Sequence, residues 1–329
     1  MSKYAIIGGG GVFAIHLAKY LLAQADTESV LSIGRNPPKS KAFTLDVGKD
    51  DKRYQYEQVH LVFEQDRLFE LFDKHKPQVI INFAALAYAT SWEHSFRYYE
   101  TNVVAVAKMC EQLSKRSYFE RFLQVGTSEL YGSVDYPVTE EYPVHPTSPY
   151  AVSKLAADMH LETLWLVKTF PMNIIRPSNA YAPAQLMYRI LPRAVYAGLT
   201  GKKLPLQGGG LVKKSFMHAY DLAQAIYLII KKAPLGSLYN VGPDNPVTMR
   251  YLVELVAQGL GIPFDELVDI APGRVGEDAQ YWLDSTKIKS ELGYKETITI
   301  EQGVQDMINW GKKYIDILHD EPANFTLRA

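Results

Sequence analysis

Residues 4–14 read YAIIGGGGVFA. A short apolar run, Tyr4–Ile7, passes straight into glycines, after which Ile15, Ala18 and Leu22 fall at i, i+3 and i+7 on one helical face. Strand, glycine turn and helix in that order let backbone N–H groups approach a pyrophosphate, with the positive end of the helix aimed at it. The spacing is Gly8-x-x-Gly11-x-x-Ala14, and Gly8, Gly11 and Phe13 are the candidate contacts. A glycine cluster alone would serve equally as a flexible turn; its place between a strand and a helix gives it meaning.

The same alternation continues outward. Tyr4–Ile7, Val30–Ile33, Val79–Phe83, Phe122–Val125 and Asn173–Ile175 read as buried strands, with helical patterns from about Arg97 to Lys115 and from Ala151 to about Lys168. Strand–helix alternation predicts a doubly wound parallel sheet in an α/β fold. Residues 36–58 are polar, carry Pro37-Pro38 and read as a long loop, with a short strand near Val59. After Arg176, prolines and glycines punctuate shorter elements: RPSNAYAP, GKKLPLQGGG, VGPDNP and APGRVGED. We therefore expect a dinucleotide-binding domain over 1–175 and a smaller α/β domain over 176–329. Leu222–Ile230 reads as a helix and Ser237–Val241 as a strand, so that a segment of about 215–242 returns to the first domain.

Composition narrows the function classes. The chain has 329 residues, 47% of them apolar, enough for a sizeable core. A net charge of −1 argues against a broad nucleic-acid footprint. The single cysteine, Cys110, excludes an intramolecular disulfide and suits a reducing compartment. With no signal-like segment and no apolar run of bilayer length, the expectation is a soluble cytoplasmic protein without membrane partners. The sequon-like Asn324-Phe325-Thr326 then carries no meaning. Histidine and cysteine spacings show no metal motif, and His218, on an apolar stretch, reads as a packed side chain.

The second strand ends VLSIGRNP. A site for NAD usually places an acid there for the ribose 2′-hydroxyl. Arg35 stands there instead and suits the 2′-phosphate of NADP. The plain alternative is a solvated loop arginine. NADP is the expected cofactor, with NAD as the alternative.

Two further stretches carry chemistry: GTSELYG at 126–132 and SPYAVSK at 148–154. Tyr150 and Lys154, four apart at a helix start, share a face. A free phenol, with pKa about 10, is too weak an acid to serve as a base at neutral pH, and a nearby ammonium favours its phenolate. The plain alternative is a tyrosine packed at a helix N-terminus after Pro149. Glu129, two residues after Thr127, would otherwise be a solvated carboxylate.

With these residues in view, the chain resembles the extended short-chain dehydrogenase/reductases. The likeness runs through GGGGVFA, the NFAA at 82–85, Thr127 and Tyr150-x-x-x-Lys154, then RPSNAYAP, YNVG and APGRVGED…YWLDSTKIKSELGY. It departs at Ala14, where many members have glycine, and at Leu61-Val62-Phe63, where many have an aspartate. The resemblance implies cofactor contacts at Ala84 and Ala85, and a Lys154 that also grips the nicotinamide ribose. It makes Tyr150 the base at a carbinol and gives Thr127 a hydrogen bond to the same oxygen.

Thr127-Ser128-Glu129 resembles the nucleotide-sugar 4,6-dehydratases, whose run is typically TDE in dTDP-glucose enzymes and TSE in GDP-mannose enzymes. Oxidation at C4 of a hexose acidifies the C5 proton, and a positioned carboxylate can remove it. Loss of the C6 hydroxyl and hydride return to C6 then give a 4-keto-6-deoxy sugar. The resemblance makes Glu129 that base. It also places Ser128, Asn179, Lys214 and Arg274 at the nucleotide sugar and lays 206–210 over the base. It further implies a homodimer through helices near 97–115 and 151–168, or a homotetramer. Trp92, Tyr98 and Tyr99 read as core or dimer interface. The rival readings are a C4 epimerase or 4-ketoreductase of the same family, which needs no C5 base, and a non-catalytic NADP sensor, which needs no Tyr–Lys pair.

Overall fold

A computed structural model describes residues 1–87, 92, 94–273 and 280–322. The first half runs β1 (Ser2–Ile7), α1 (Val12–Leu22), β2 (Thr27–Gly34), α2 (Lys41–Thr44), β3 (Tyr54–Gln58), α3 (Gln65–His75) and β4 (Val79–Asn82). It continues α4 (Phe96–Tyr99), a π turn (Glu100–Val104), α5 (Ala105–Leu113), β5 (Arg121–Val125), α6 (Pro149–Lys168) and β6 (Met172–Pro177). The second half adds β7 (Asn179–Tyr181), α7 (Ile190–Thr200), β8 (Leu204–Gln207), β9 (Lys213–Lys214), β10 (Phe216–His218), α8 (Ala219–Lys232) and β11 (Leu238–Val241). Then come β12 (Val247–Thr248), α9 (Met249–Leu260), α10 (Phe264–Leu267), β13 (Val268–Ala271), α11 (Thr286–Leu292) and α12 (Ile300–Leu318).

Seven strands form one parallel sheet in the order β11-β6-β5-β4-β1-β2-β3. The five buried strands expected from the first half all lie in it, as does the strand expected at Ser237–Val241. Their apolar runs follow from burial on both faces, the usual condition of a parallel sheet. Along β1, Tyr4 and Ile6 enter one core with Leu17 and Leu21 of α1 and Ile226 of α8. Ala5 and Ile7 enter the opposite core with Phe72 of α3, Val106 and Met109 of α5 and Leu161 of α6. A third cluster holds α7, α9 and α12 together beside the paired strands β8 and β13.

The chain changes direction across the sheet between β1 and β4, which opens a crevice at their C-terminal ends. The glycine turn after β1 and the segment after β4 face each other there. Gly8 has φ +83°, and a Cβ on it would lie 2.7 Å from the Ala84 nitrogen. Only glycine allows both that conformation and that approach.

Two expectations need correction. Residues 36–58 are not one loop: they contain α2, and the short strand expected near Val59 is Tyr54–Gln58, inside that segment. At the sheet edge β3 is only half buried, so its residues YQYEQ carry no apolar run. The periodicity from Arg97 to Lys115 belongs to α4 and α5 joined through a π turn. No helix among the described residues is long and apolar enough to cross a membrane.

Candidate active site

The C-terminal end of β5 delivers the first group of side chains. Gly126 closes the strand, and Thr127 caps the tight turn Ser128–Tyr131, its hydroxyl accepting from the Glu129 N–H at 3.3 Å. The cap fixes the Thr127 side chain and sends Glu129 into the cleft beside it. Thr127 and Ser128 are buried, and Glu129 is half-buried.

Helix α6 delivers the second group. Ser148 caps it by accepting from the Ala151 N–H at 3.1 Å, and Pro149 supplies the first turn without needing a donor. Tyr150 and Lys154 therefore sit one turn apart on the buried face, followed by Asp158 after another turn. Lys154 Nζ donates to the Val125 carbonyl at 2.6 Å, which locks the lysine against the strand that carries Thr127. Burial pulls its ammonium down to about 8, opposed by the negative charge of Asp158. Burial also raises the Tyr150 phenol, as does the negative charge of Glu129. A hydrogen bond with Thr127 and the positive charge of Arg189 pull the other way. Tyr98 packs edge-on to the Tyr150 ring at 6.5 Å. It is core, as expected. Trp92 is not: it is 69% exposed and lines the mouth of the cleft.

These groups open into one cleft of about 1020 Å³, lined by Phe13, Ala85, Thr127, Ser128, Glu129, Tyr150 and Lys154 on the sheet side. Asn179 and Lys214 line its other side. Asn179 Nδ2 is buried without a hydrogen-bond partner among the described residues, a donor suited to an acceptor that enters the cleft. Residues 206–210 reach the cleft through Leu206, Gln207 and Gly210. Arg274 lies outside the described residues. Gly8 and Gly11 form the turn behind Ala84 and Phe13. The residues fit a dinucleotide: a glycine cradle at the start of α1, with no side chain between it and Ala84. Arg35 follows the last residue of β2, exposed, its carbonyl accepting from Gln58 Nε2 at 3.1 Å. His218 is packed as expected, its Nδ1 accepting from the Tyr220 N–H at 3.2 Å. Among the described residues no cluster of His, Cys, Asp or Glu could hold a metal.

Sequence reasoning missed Arg189 and Arg193, which line the cleft at the start of α7. A signal existed. Two arginines four apart after RPSNAYAP share a helical face. It also missed Arg176 and Asp158, a buried ion pair at 3.1 Å behind Gly126.

The family model for GDP-mannose 4,6 dehydratase matches residues 5–307. The chain is similar to the dTDP-glucose 4,6-dehydratase of Haemophilus influenzae, 28% identical over 94% of this chain and 98% of that protein. Among solved structures it is similar to the dTDP-glucose 4,6-dehydratase of Bacillus anthracis in complex with NAD, 28% identical with a TM-score of 0.86, covering 96% of this chain and 98% of that one. The same enzyme from Streptomyces venezuelae, with NAD and TYD bound, gives a TM-score of 0.86 at 26% identity, covering 96% and 98%.

Proposed function

The chain belongs to the GDP-mannose 4,6 dehydratase family, and from that premise we propose that it is a nucleotide-sugar 4,6-dehydratase, a lyase that keeps its nicotinamide cofactor through the cycle. One observation carries the reading. Glu129 enters the cleft from the same turn as Thr127, close enough for its charge to act on Tyr150. A reductase or epimerase has no use for a second base there; a dehydratase needs one at C5.

The bound nicotinamide supplies hydride transfer at C4 and its return at C6. The chain's own residues supply the rest. Thr127 holds the C4 hydroxyl, and Tyr150 takes its proton as hydride leaves carbon. Lys154, charged below about pH 8, favours the phenolate that this requires. Once C4 is a ketone, Glu129 removes the C5 proton and passes it to the departing C6 hydroxyl, which leaves as water to give a 4-keto-5,6-ene. Hydride return to C6 is matched by a proton delivered to C5 from solvent, balancing the one Tyr150 took up. Ser128 contacts the sugar. Lys214, Arg189 and Arg193, with Arg274, neutralise the diphosphate, and Asn179 Nδ2 donates a hydrogen bond to it. The arginines can make two-pronged contacts that Lys214 cannot.

Gly8, Gly11, Phe13, Ala84 and Ala85 would hold the dinucleotide, and Arg35 supports NADP through its 2′-phosphate. The two structural relatives contain NAD, so Arg35 is the residue on which the choice turns. Residues 1–175, with the segment 215–242 that contributes β11, form the cofactor side; the remainder forms the substrate side. Phe96, Val104, Val152 and Met159 expose apolar surface along α4 to α6, which supports a homodimer through those helices. A buried free thiol at Cys110 supports a cytoplasmic setting.

The test is mass spectrometry of GDP-mannose, GDP-heptose, dTDP-glucose, CDP-glucose and UDP-N-acetylglucosamine after incubation with the protein as purified, no cofactor added. Loss of one water from one of them is expected. An unchanged mass with an epimer visible by NMR would overturn the dehydratase in favour of an isomerase.

A further inference from the structure

Behind the redox pair lies a set of charges that the reaction does not touch. Asp158 is 0% exposed and Arg176 5%, with Arg176 Nε 3.1 Å from Asp158 Oδ2. Arg176 Nη1 donates to the Tyr131 hydroxyl at 2.9 Å, and that hydroxyl donates to Asn240 Oδ1 at 2.9 Å. Asn240 is held in turn: its Nδ2 donates to the Val138 carbonyl at 3.1 Å and its N–H to Glu140 Oε1 at 2.7 Å. The guanidinium is thus fixed on two sides. The carboxylate is not saturated: Asp158 Oδ1 is buried with no hydrogen-bond partner among the described residues.

A buried ion pair is a poor source of stability, because desolvation offsets the attraction. An unsatisfied carboxylate oxygen adds to the cost. The sequence also makes room for the pair. A Cβ on Gly126 would lie 3.1 Å from Arg176 Cγ and 3.3 Å from Asp158 Oδ2. Asp158 lies one turn below Lys154 on the same buried face of α6. Lys154 is itself 1% exposed, with its Nζ on the Val125 carbonyl. Arg176 alone would repel a second buried cation, and the carboxylate between them makes both tolerable.

We propose that Asp158, clamped by Arg176, is a positioning residue for the redox step, holding Lys154 as an ammonium beside Val125 and Tyr150. The proposal rests on Tyr150 and Lys154 as the redox pair, and not on the fate of C5. The charged and titratable groups around Lys154 are few. Helix α6 contributes Tyr150, Asp158 and Glu162, and β6 contributes Arg176. The turn after β5 contributes Glu129 and Tyr131, the following loop Glu140, and the start of α7 Arg189. Of these, Asp158 is the anion one helical turn from Lys154 on the same buried face, and its negative charge favours the ammonium.

The experiment follows C4 oxidation in a single turnover through the absorbance of the reduced nicotinamide. It uses the protein with its bound cofactor across the alkaline range and measures water loss in parallel. Wild type is compared with Asp158→Asn, Asp158→Glu and the double variant Asp158→Asn/Arg176→Gln. The double variant leaves no buried arginine unpaired and guards against a single variant that fails to fold. In Asp158→Asn and in the double variant the alkaline limb is expected to move toward acid by about one pH unit or more, while Asp158→Glu returns it. A limb that stays in place, with the rate scaled equally at every pH, would overturn the proposal and leave Asp158 as a brace. A shifted limb with no water lost would support the positioning role and sink the dehydratase reading.

Discussion

On the sheet side of the cleft, Thr127, Tyr150 and Lys154 are each less than one-tenth exposed and held by a cap, an aromatic contact or a carbonyl. On the opposite side Arg189 and Gln207 are exposed, and Arg193 and Lys214 are half-buried. The first wall holds its side chains in one geometry, Lys154 by its bond to the Val125 carbonyl; the second holds long side chains that are less buried. Burial is what moves the Tyr150 and Lys154 protons away from their ordinary values. The proposed function puts proton chemistry on the buried wall and the grip on a charged substrate on the exposed one.

The comparison breaks if the buried wall proves dispensable. Tyr150→Phe keeps the packing against Tyr98 and removes the base. It should lower turnover by about 10⁴ while leaving nucleotide-sugar affinity by calorimetry nearly intact. Glu129→Gln should lower water loss by about 10³ yet still reduce the cofactor on adding substrate, read by absorbance. A fully active variant would make Glu129 a bystander.

Stability and activity should part company at Lys154. Its folded pKa, about 8, lies below the ordinary 10.5. Burying the charged form therefore costs stability below pH 8, and the cost fades as pH rises toward 10.5. If the redox step needs the charged form, activity should fall as pH rises through about 8. Lys154→Met should be inactive, and at neutral pH it should melt no lower than wild type. The wild type should gain on it by a few degrees in calorimetry between pH 8 and 10.5.

The exposed wall should yield graded effects. Arg189→Ala should raise KM roughly tenfold with a smaller change in kcat, the pattern of lost uniform binding. Arg35→Ser should weaken NADP by about fivefold to tenfold while sparing NAD, as expected for one charge-assisted contact. Equal loss of both cofactors in a dialysis assay would remove the case for NADP.

How much of this was legible follows the same division. Tyr4–Ala14 announced the fold because a strand buried on both faces must be continuously apolar, and a turn against Ala84 must be glycine. Tyr150, Lys154 and Thr127 were legible because helix spacing alone brings the first two together. Strand β3 was not, since an edge strand half in water needs no apolar run. Helix α3 went unread because its apolar residues, Leu68, Phe69 and Phe72, sit among charges. Arg189 was hidden because its approach to Tyr150 is a property of the tertiary fold. Asp158 was in plain sight four residues after Lys154, but only burial, which no spacing reports, turns it from a helix-surface acid into a partner.

The C-terminal helix meets the start of the chain through one bond: Trp310 Nε1 of α12 donates to the Ala42 carbonyl of α2 at 2.7 Å. Phe43 packs edge-on to the same indole at 6.0 Å. Helix α2 lies in the segment that follows Arg35, so the stretch next to the residue proposed to select the cofactor is anchored by a residue 268 positions after Ala42. The consequence is modular. A fragment cut after the nucleotide-binding strands would keep the glycine cradle but lose the fastening of the loop beside it. Transplanting the first half onto a different partner would require carrying α12, or an indole in its place, along with it.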